Sequence, residues 1–243
     1  MAETHKQLLE RLEMQSRRKQ EKFFGMIAGR MGRGRLTEPP EHPYKGAPDF
    51  WNGLEWTAQE KIERFVSQFI SVGGHAAYVS TEAEAGAYIA AKAMEMKART
   101  LLRQNQPGLD RLSLEARLPH TDIQVWNSRE REDWKAVAAA ADFGVVEADY
   151  GAAYTGSVIV LSDGGKGRSV SLLPAVLIVL MPLSRLFTRM GEVLEKVATG
   201  GREGMPAGMH FISGPSRSAD IENDLTIGVH GPGIVHVLIC GDR

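Results

Sequence analysis

The sequence predicts an α/β domain whose mostly parallel sheet is flanked by helices, preceded by a helical arm. Three observations carry this. Short apolar runs rich in Val, Ile and Leu recur at Ser157–Leu161, Ala175–Met181 and Ile234–Cys240, as strands buried on both faces require. Segments of helical period lie between such runs. Gly and Pro clusters punctuate the joins.

Taken in order, residues 1 to about 35 read as an amphipathic helix. Leu8, Leu9 and Leu12 form one apolar cluster, and Phe23, Phe24, Met26 and Ile27 form a second. Arg17, Arg18, Lys19, Lys22, Arg30, Arg33 and Arg35 make the arm basic. It reads as a solvated helix face, or as an arm that packs on a partner subunit, in preference to a nucleic-acid or membrane arm. Gly32, Gly34, Pro39, Pro40, Pro43 and Pro48 then read as a linker, which sets a boundary near residue 45. Residues 46–243 form the α/β domain under this reading.

Thr57 and Glu60 make a capping box, and Ile62, Phe65, Val66, Phe69 and Ile70 follow at helical spacing until Gly73-Gly74. Ala76–Val79 is a short buried strand. Thr81 and Glu84 offer a second box, opening an Ala-rich helix expected to run to about Arg103. A further helix is expected over Arg129–Ala141, and strands over Phe143–Glu147 and Ser157–Leu161. Ser162–Arg168 reads as a loop and Ala175–Met181 as a central strand. Leu183, Leu186, Phe187, Met190, Val193, Leu194 and Val197 mark one helix ended by Gly200-Gly201. His210–Ser213 and Ile234–Cys240 are two more strands.

Composition removes several classes of function. The net charge of −1 provides no global field for nucleic acid or membrane. The one cysteine, Cys240, allows neither an internal disulfide nor an iron–sulfur cluster, which needs several thiolates. It sits in an apolar run and reads as a small buried hydrophobe. The charged segment Met1–Lys6 has no apolar core, so it is no signal peptide. The apolar run Val170–Leu183 holds Pro174 and Pro182 and is too short to span a bilayer. A cytoplasmic protein is expected. The seven histidines show no metal-ligand spacing. No P-loop, dinucleotide fingerprint or nucleophile elbow occurs.

Three polar segments next to strands are candidates for chemistry, since open α/β sheets bind ligands beyond the carboxyl ends of their strands. Thr155, Gly156 and Ser157 place hydroxyls around a glycine, as a tight turn also would. Asp163–Ser169 runs into Ser171, with Lys166 and Arg168 able to close over an anion or to sit on an exposed hairpin. The densest segment is Phe211–Glu222 with Gly228–Gly233. There Gly214, Ser216 and Arg217 suit a carboxylate or phosphate. Asp220 and Glu222 either hold Arg217 or act on a substrate. His230, beside Gly231, is aimed by a sharp turn. A structural network of ion pairs explains the same residues.

Ile212–Glu222 followed by Gly228–Val237 closely resembles the signature of the lactate-utilisation protein C family, which carries the LUD domain. Tyr154–Leu161 and Gly167–Pro174 resemble two further blocks of that family, in the same order. The likeness covers roughly residues 50–243. It implies a fold similar to the NagB, ribose-5-phosphate isomerase and CoA-transferase superfamily. It also implies a component of L-lactate utilisation, the oxidation of L-lactate to pyruvate. Iron–sulfur clusters are then expected in partner proteins, with no cofactor in this chain. No residue matches the catalytic glutamate of CoA transferases, so that chemistry does not carry over.

Three roles follow as expectations. The first is an accessory, non-redox subunit in which Arg217, Ser216 and His230 hold a small anionic molecule. The second is a stand-alone enzyme, CoA-transferase-like or sugar-phosphate-isomerase-like, with Glu222 or Asp220 as nucleophile or base. The third is an assembly factor docking through the arm. No nucleic acid or membrane span is expected, and a homo-oligomer is an arrangement open to it.

Overall fold

In the computed structural model, which describes residues 5–35, 37–38, 49–130, 133–219 and 224–241, the apolar runs become neighbours in one parallel sheet. The helices are α1 (His5–Arg30), α2 (Asp49–Asn52), α3 (Ala58–Ser71), α4 (Glu82–Glu95), α5 (Pro107–Asp110), α6 (Leu114–Arg117), α7 (Trp134–Ala140), α8 (Arg168–Leu172) and α9 (Met190–Ala198). The strands are β1 (His75–Val79), β2 (Thr100–Arg103), β3 (Asp122–Val125), β4 (Phe143–Glu147), β5 (Tyr150–Ala152) and β6 (Ser157–Ser162). They continue as β7 (Val176–Pro182), β8 (Leu186–Phe187), β9 (Gly208–Ile212), β10 (Arg217–Ser218), β11 (Thr226–Ile227) and β12 (Ile234–Cys240). The chain divides into two units, residues 1–53 and 54–243.

The first unit holds α1 and α2. The helix α1 closes with Gly32 in the left-handed region (φ +64°) and the Arg33 N–H donating to the Ala28 carbonyl at 3.1 Å. That is the glycine-terminated helix end expected of a Gly after a helix. Arg35 then lies 5.7 Å over the Phe24 ring and pairs with Glu21 at 2.8 Å.

The second unit is an α/β body. Its sheet runs β1-β12-β7-β4-β2-β3, with every pair parallel. Successive side chains on a strand point to opposite faces. Val146, Val179, Val237 and Ile239 therefore pack on Phe65 and Phe69 of α3 and on Trp134 of α7. Val145, Ile178 and Leu238 pack on the other side, with Ala85 and Ile89 of α4 and with Leu109 and Leu114. Burial on both faces explains why these strands read as unbroken apolar runs.

Beside this sheet stands a smaller one, β8-β5-β6-β9, in which β6 runs antiparallel to both β5 and β9. A short ribbon joins β10 to β11.

Four expectations change. The Ala-rich helix stops at Glu95. Lys97 turns left-handed (φ +56°) and the Ala98 N–H reaches back to the Ala93 carbonyl at 2.8 Å, freeing Thr100–Arg103 to pair as β2. The expected helix over Leu183–Val197 is a single 3₁₀ turn, Leu183–Arg185, then β8, then α9. Leu186 has helical spacing, but pairing with Gly151 overrides it. The helix expected from Arg129 begins at Trp134. The second capping box is half formed, since the Thr81 hydroxyl accepts from the Glu84 N–H but the Glu84 carboxylate accepts from Ser80.

Candidate functional site: a cleft at the carboxyl ends of the sheet

Strands β2, β4, β7 and β12 all end on one side of the second unit, with Arg103, Glu147, Pro182 and Cys240 as their last residues. Ligands bind at this side in open α/β sheets because loops, free of the ladder, converge there.

The sheet ends β4 on an acid. Glu147 is buried, its side chain only 8% exposed, and it meets Arg185 from the 3₁₀ turn after β7. Arg185 Nη1 lies 2.8 Å from Glu147 Oε1 and also donates to the Ala148 carbonyl at 3.1 Å. Glu147 Oε2 is buried without a hydrogen-bond partner among the described residues. Gly108 of α5 lies against it so closely that a Cβ there would collide with Oε2.

The loop bearing α5 is fixed from both ends. Gln106 grips the main chain of Glu147 through both atoms of its amide. Arg103, almost fully buried, pairs with Asp110 at 2.7 Å and Glu115 at 3.0 Å. The same loop carries Arg111, whose Nε lies 2.7 Å from Glu82 Oε1. That hydrogen bond, with the fields of Glu147 and Asp110 added, raises the Arg111 pKa above its ordinary value.

Between these groups lies a cavity of about 330 Å³, lined by Glu82, Arg111, Glu147, Ser184, Arg185 and Cys240 among others. A second cavity of about 290 Å³ shares Glu147 and Arg185 with it and reaches Lys166. Lys166 bonds Asp149 at 2.8 Å and Asp163 at 3.2 Å. Burial opposes its charge, but these two carboxylates outweigh burial and raise its pKa. The two guanidinia differ from Lys166 in having donors to spare. Arg185 is 42% exposed and bonds through Nη1 alone, while Arg111 is 49% exposed and bonds through Nε alone, among the described residues. Two exposed guanidinium edges over a cavity can take a carboxylate, singly or bidentately.

The residues singled out in the sequence lie elsewhere. Two of their segments pack around the end of α3. Gly156, left-handed (φ +59°), leaves no room for a Cβ against Gln68 and Phe69. Gly214 (φ +124°) lies on Val72, and the Arg217 guanidinium lies over Gly73. Ser157 Oγ donates to Thr155 Oγ1 at 2.8 Å and shares a 2.7 Å bond with the Ser213 hydroxyl. Ser216 donates its N–H to the Pro232 carbonyl and accepts from Gly228, while its hydroxyl accepts from the His230 N–H at 3.3 Å. Gly231 sits close on Ser216. Ser171 is buried in α8 and donates to the Arg168 carbonyl at 3.1 Å.

Gly214, Ser216, Arg217, His230 and Gly231 thus gather near the amino ends of β1 and β12, and Thr155–Ser157 join them across α3. None of them lines the two cavities above. Asp220 and Glu222 lie outside the described residues. Among the described residues no three His, Cys, Asp or Glu side chains form a metal site, and no helix is long and apolar enough to cross a membrane.

Glu147, Arg185, Arg111 and Gln106 went unnoticed in the sequence. One signal was present, because Glu147 is an acid closing an otherwise apolar strand, Phe143–Val146.

The model of the LUD domain matches residues 62–240. Lactate utilization protein C of Halalkalibacterium halodurans is 35% identical over 231 residues, covering 93% of this chain and 99% of that protein. The chain belongs to the LUD domain family. Lactate utilization protein C of Shouchella clausii is 31% identical over 213 residues, covering 86% and 92% of the two chains. A crystal structure of a DUF162 family protein from Deinococcus radiodurans superposes with a TM-score of 0.54 over 76% of this chain and 99% of that one, at 21% identity. That likeness is one of fold. The LUD domain match runs from within α3 to the end of β12, so it covers every strand of the parallel sheet and the cleft residues Glu82, Arg111, Glu147 and Arg185.

Proposed function

We propose that this LUD domain protein is a non-redox component of an L-lactate utilisation system, binding a small anionic molecule in the cleft between Arg111 and Arg185. The observation that carries the reading is the pair of guanidinium edges, free of protein partners among the described residues, over a cavity of about 330 Å³. The volume falls at the lower end of what small-molecule sites need. Its likeness to the lactate utilization protein C of two other organisms supports the metabolic setting. Electron transfer is assigned to iron–sulfur partner proteins in the cytoplasm, because one cysteine cannot hold a cluster.

Titration calorimetry on the purified protein with L-lactate, pyruvate and oxalate tests the site. Arg185→Gln combined with Arg111→Gln is expected to weaken binding at least about tenfold, or about 1.4 kcal/mol. Equal affinity in the double variant overturns the assignment. The same variant, replacing the chromosomal copy, is expected to slow growth on lactate and leave growth on glucose unchanged.

Glu147 favours a second reading, a stand-alone enzyme. A buried carboxylate at a strand end, bordering a cavity, is placed as a nucleophile or general base requires. Turnover of acyl-CoA or sugar phosphates by the isolated protein, lost in Glu147→Gln, would establish it over the first.

A further inference from the structure

The two guanidinium edges account for an anion, but not for the carboxylate between them. Glu147 shares the cavity with Arg111 and Arg185 and accepts one side-chain hydrogen bond, from Arg185, among the described residues. An ionised carboxylate has about four acceptor positions. Oε2 is sealed beneath Gly108. Oε1, on the Arg185 side, keeps acceptor capacity after its single bond. Any anion seated on Arg185 therefore stands next to a second negative group.

A ligand of acceptors alone would set its lone pairs against Glu147, and like charges at close range in a poorly solvated site repel. A ligand with an O–H next to its carboxylate turns that repulsion into a charge-assisted hydrogen bond.

We infer that the cleft selects 2-hydroxy carboxylates over 2-oxo carboxylates, with Glu147 as the residue that discriminates. The inference rests on reading the cleft as an anion site. The ligand carboxylate lies on the free edges of Arg185 and Arg111, and its hydroxyl donates to Glu147 Oε1. A site built to accept a hydrogen bond rejects the analogue that cannot donate one more strongly than a site distinguishing by shape alone.

Calorimetry with L-lactate, pyruvate and 2-methoxypropionate is the test. The methoxy acid keeps the oxygen and loses the proton. The wild type is expected to bind L-lactate at least about tenfold more tightly than either analogue. Glu147→Gln, which offers an amide N–H, is expected to lose that preference and bind pyruvate at least as well as L-lactate. Far-ultraviolet circular dichroism checks that the variant is folded, and the methoxy comparison needs no variant.

Equal wild-type affinity for all three acids, with binding still lost in the Arg111/Arg185 double variant, overturns the hydroxyl selection and keeps the anion site. Binding unchanged in the double variant, or no binding of any acid to the wild type, overturns both.

Discussion

Gln106 holds Glu147 as a neighbouring strand would. Its side-chain oxygen accepts from the Glu147 N–H at 3.0 Å and its side-chain nitrogen donates to the Glu147 carbonyl at 3.2 Å. One amide thus replaces a ladder pair at the point where β4 leaves the sheet. Gln106→Ala removes both partners from a buried peptide, and each unsatisfied group costs about 1–3 kcal/mol. Urea unfolding is expected to show a loss of about 2 kcal/mol or more. A loss under about 0.5 kcal/mol would mean that water substitutes fully for the amide.

Gly108→Ala tests the opposite side of the same carboxylate. The added methyl collides with Glu147 Oε2, so either Glu147 or α5 must shift. Overpacking of this kind costs about 1–3 kcal/mol. The expected signature is a lowered melting temperature together with weakened anion binding. Gly164→Ala, in open space, is the control and is expected to change neither.

Arg185 and Arg217 separate two candidate sites. Arg217 is exposed on the ribbon and lies over Gly73, whereas Arg185 borders both cavities. Arg217→Ala is expected to leave stability within about 0.5 kcal/mol, as surface changes do, and to leave binding of small carboxylates unchanged. Loss of that binding in Arg217→Ala, with Arg185→Gln unaffected, would move the site to the amino ends of the strands.

His236 is expected to contribute to the pH dependence of stability in mild acid. It stacks on His75 at 4.4 Å and shares a 2.9 Å hydrogen bond with the Tyr88 hydroxyl. Burial first, then the nearby His75 and Lys92, push its pKa down to about 4, against a weaker pull from Glu95. Between about pH 6.5 and 4 the unfolded chain therefore binds a proton that the folded chain refuses. Stability rises with pH across that window and falls as acid is added, by about 3 kcal/mol over its whole width. His236→Gln is expected to flatten this part of the profile. A profile that stays as steep would assign the acid sensitivity to other groups.

The strands that could be read from the sequence are those buried on both faces. β4, β7 and β12 announce themselves as nearly continuous apolar runs, broken only by His236 within β12 and closed by Glu147 in β4. β2 is short and ends on a charged residue, Arg103, which is tolerable only because Asp110 and Glu115 meet it from the next loop. β8 exists through its pairing with β5, and a two-residue strand carries no period of its own. The hydroxyl-rich and glycine-rich blocks drew attention by density. In the structure that density serves close approach: Gly156 and Gly214 press on the end of α3, where a side chain would not fit. The cleft drew none, because its members come singly from the start of α4, the loop after α5, the end of β4 and the turn after β7, and become neighbours only when the sheet brings their strands together.

The place of β12 has a consequence for how the chain is made. It lies between β1 and β7, yet about 150 residues separate it from β1 along the chain. During synthesis β2, β3, β4 and β7 can assemble from a continuous stretch, while β1 waits with both edges bare. A ribosome-bound nascent chain lacking β12 should therefore expose two unfinished sheet edges, a substrate for chaperones, and long-range closure of this kind is intrinsically slow.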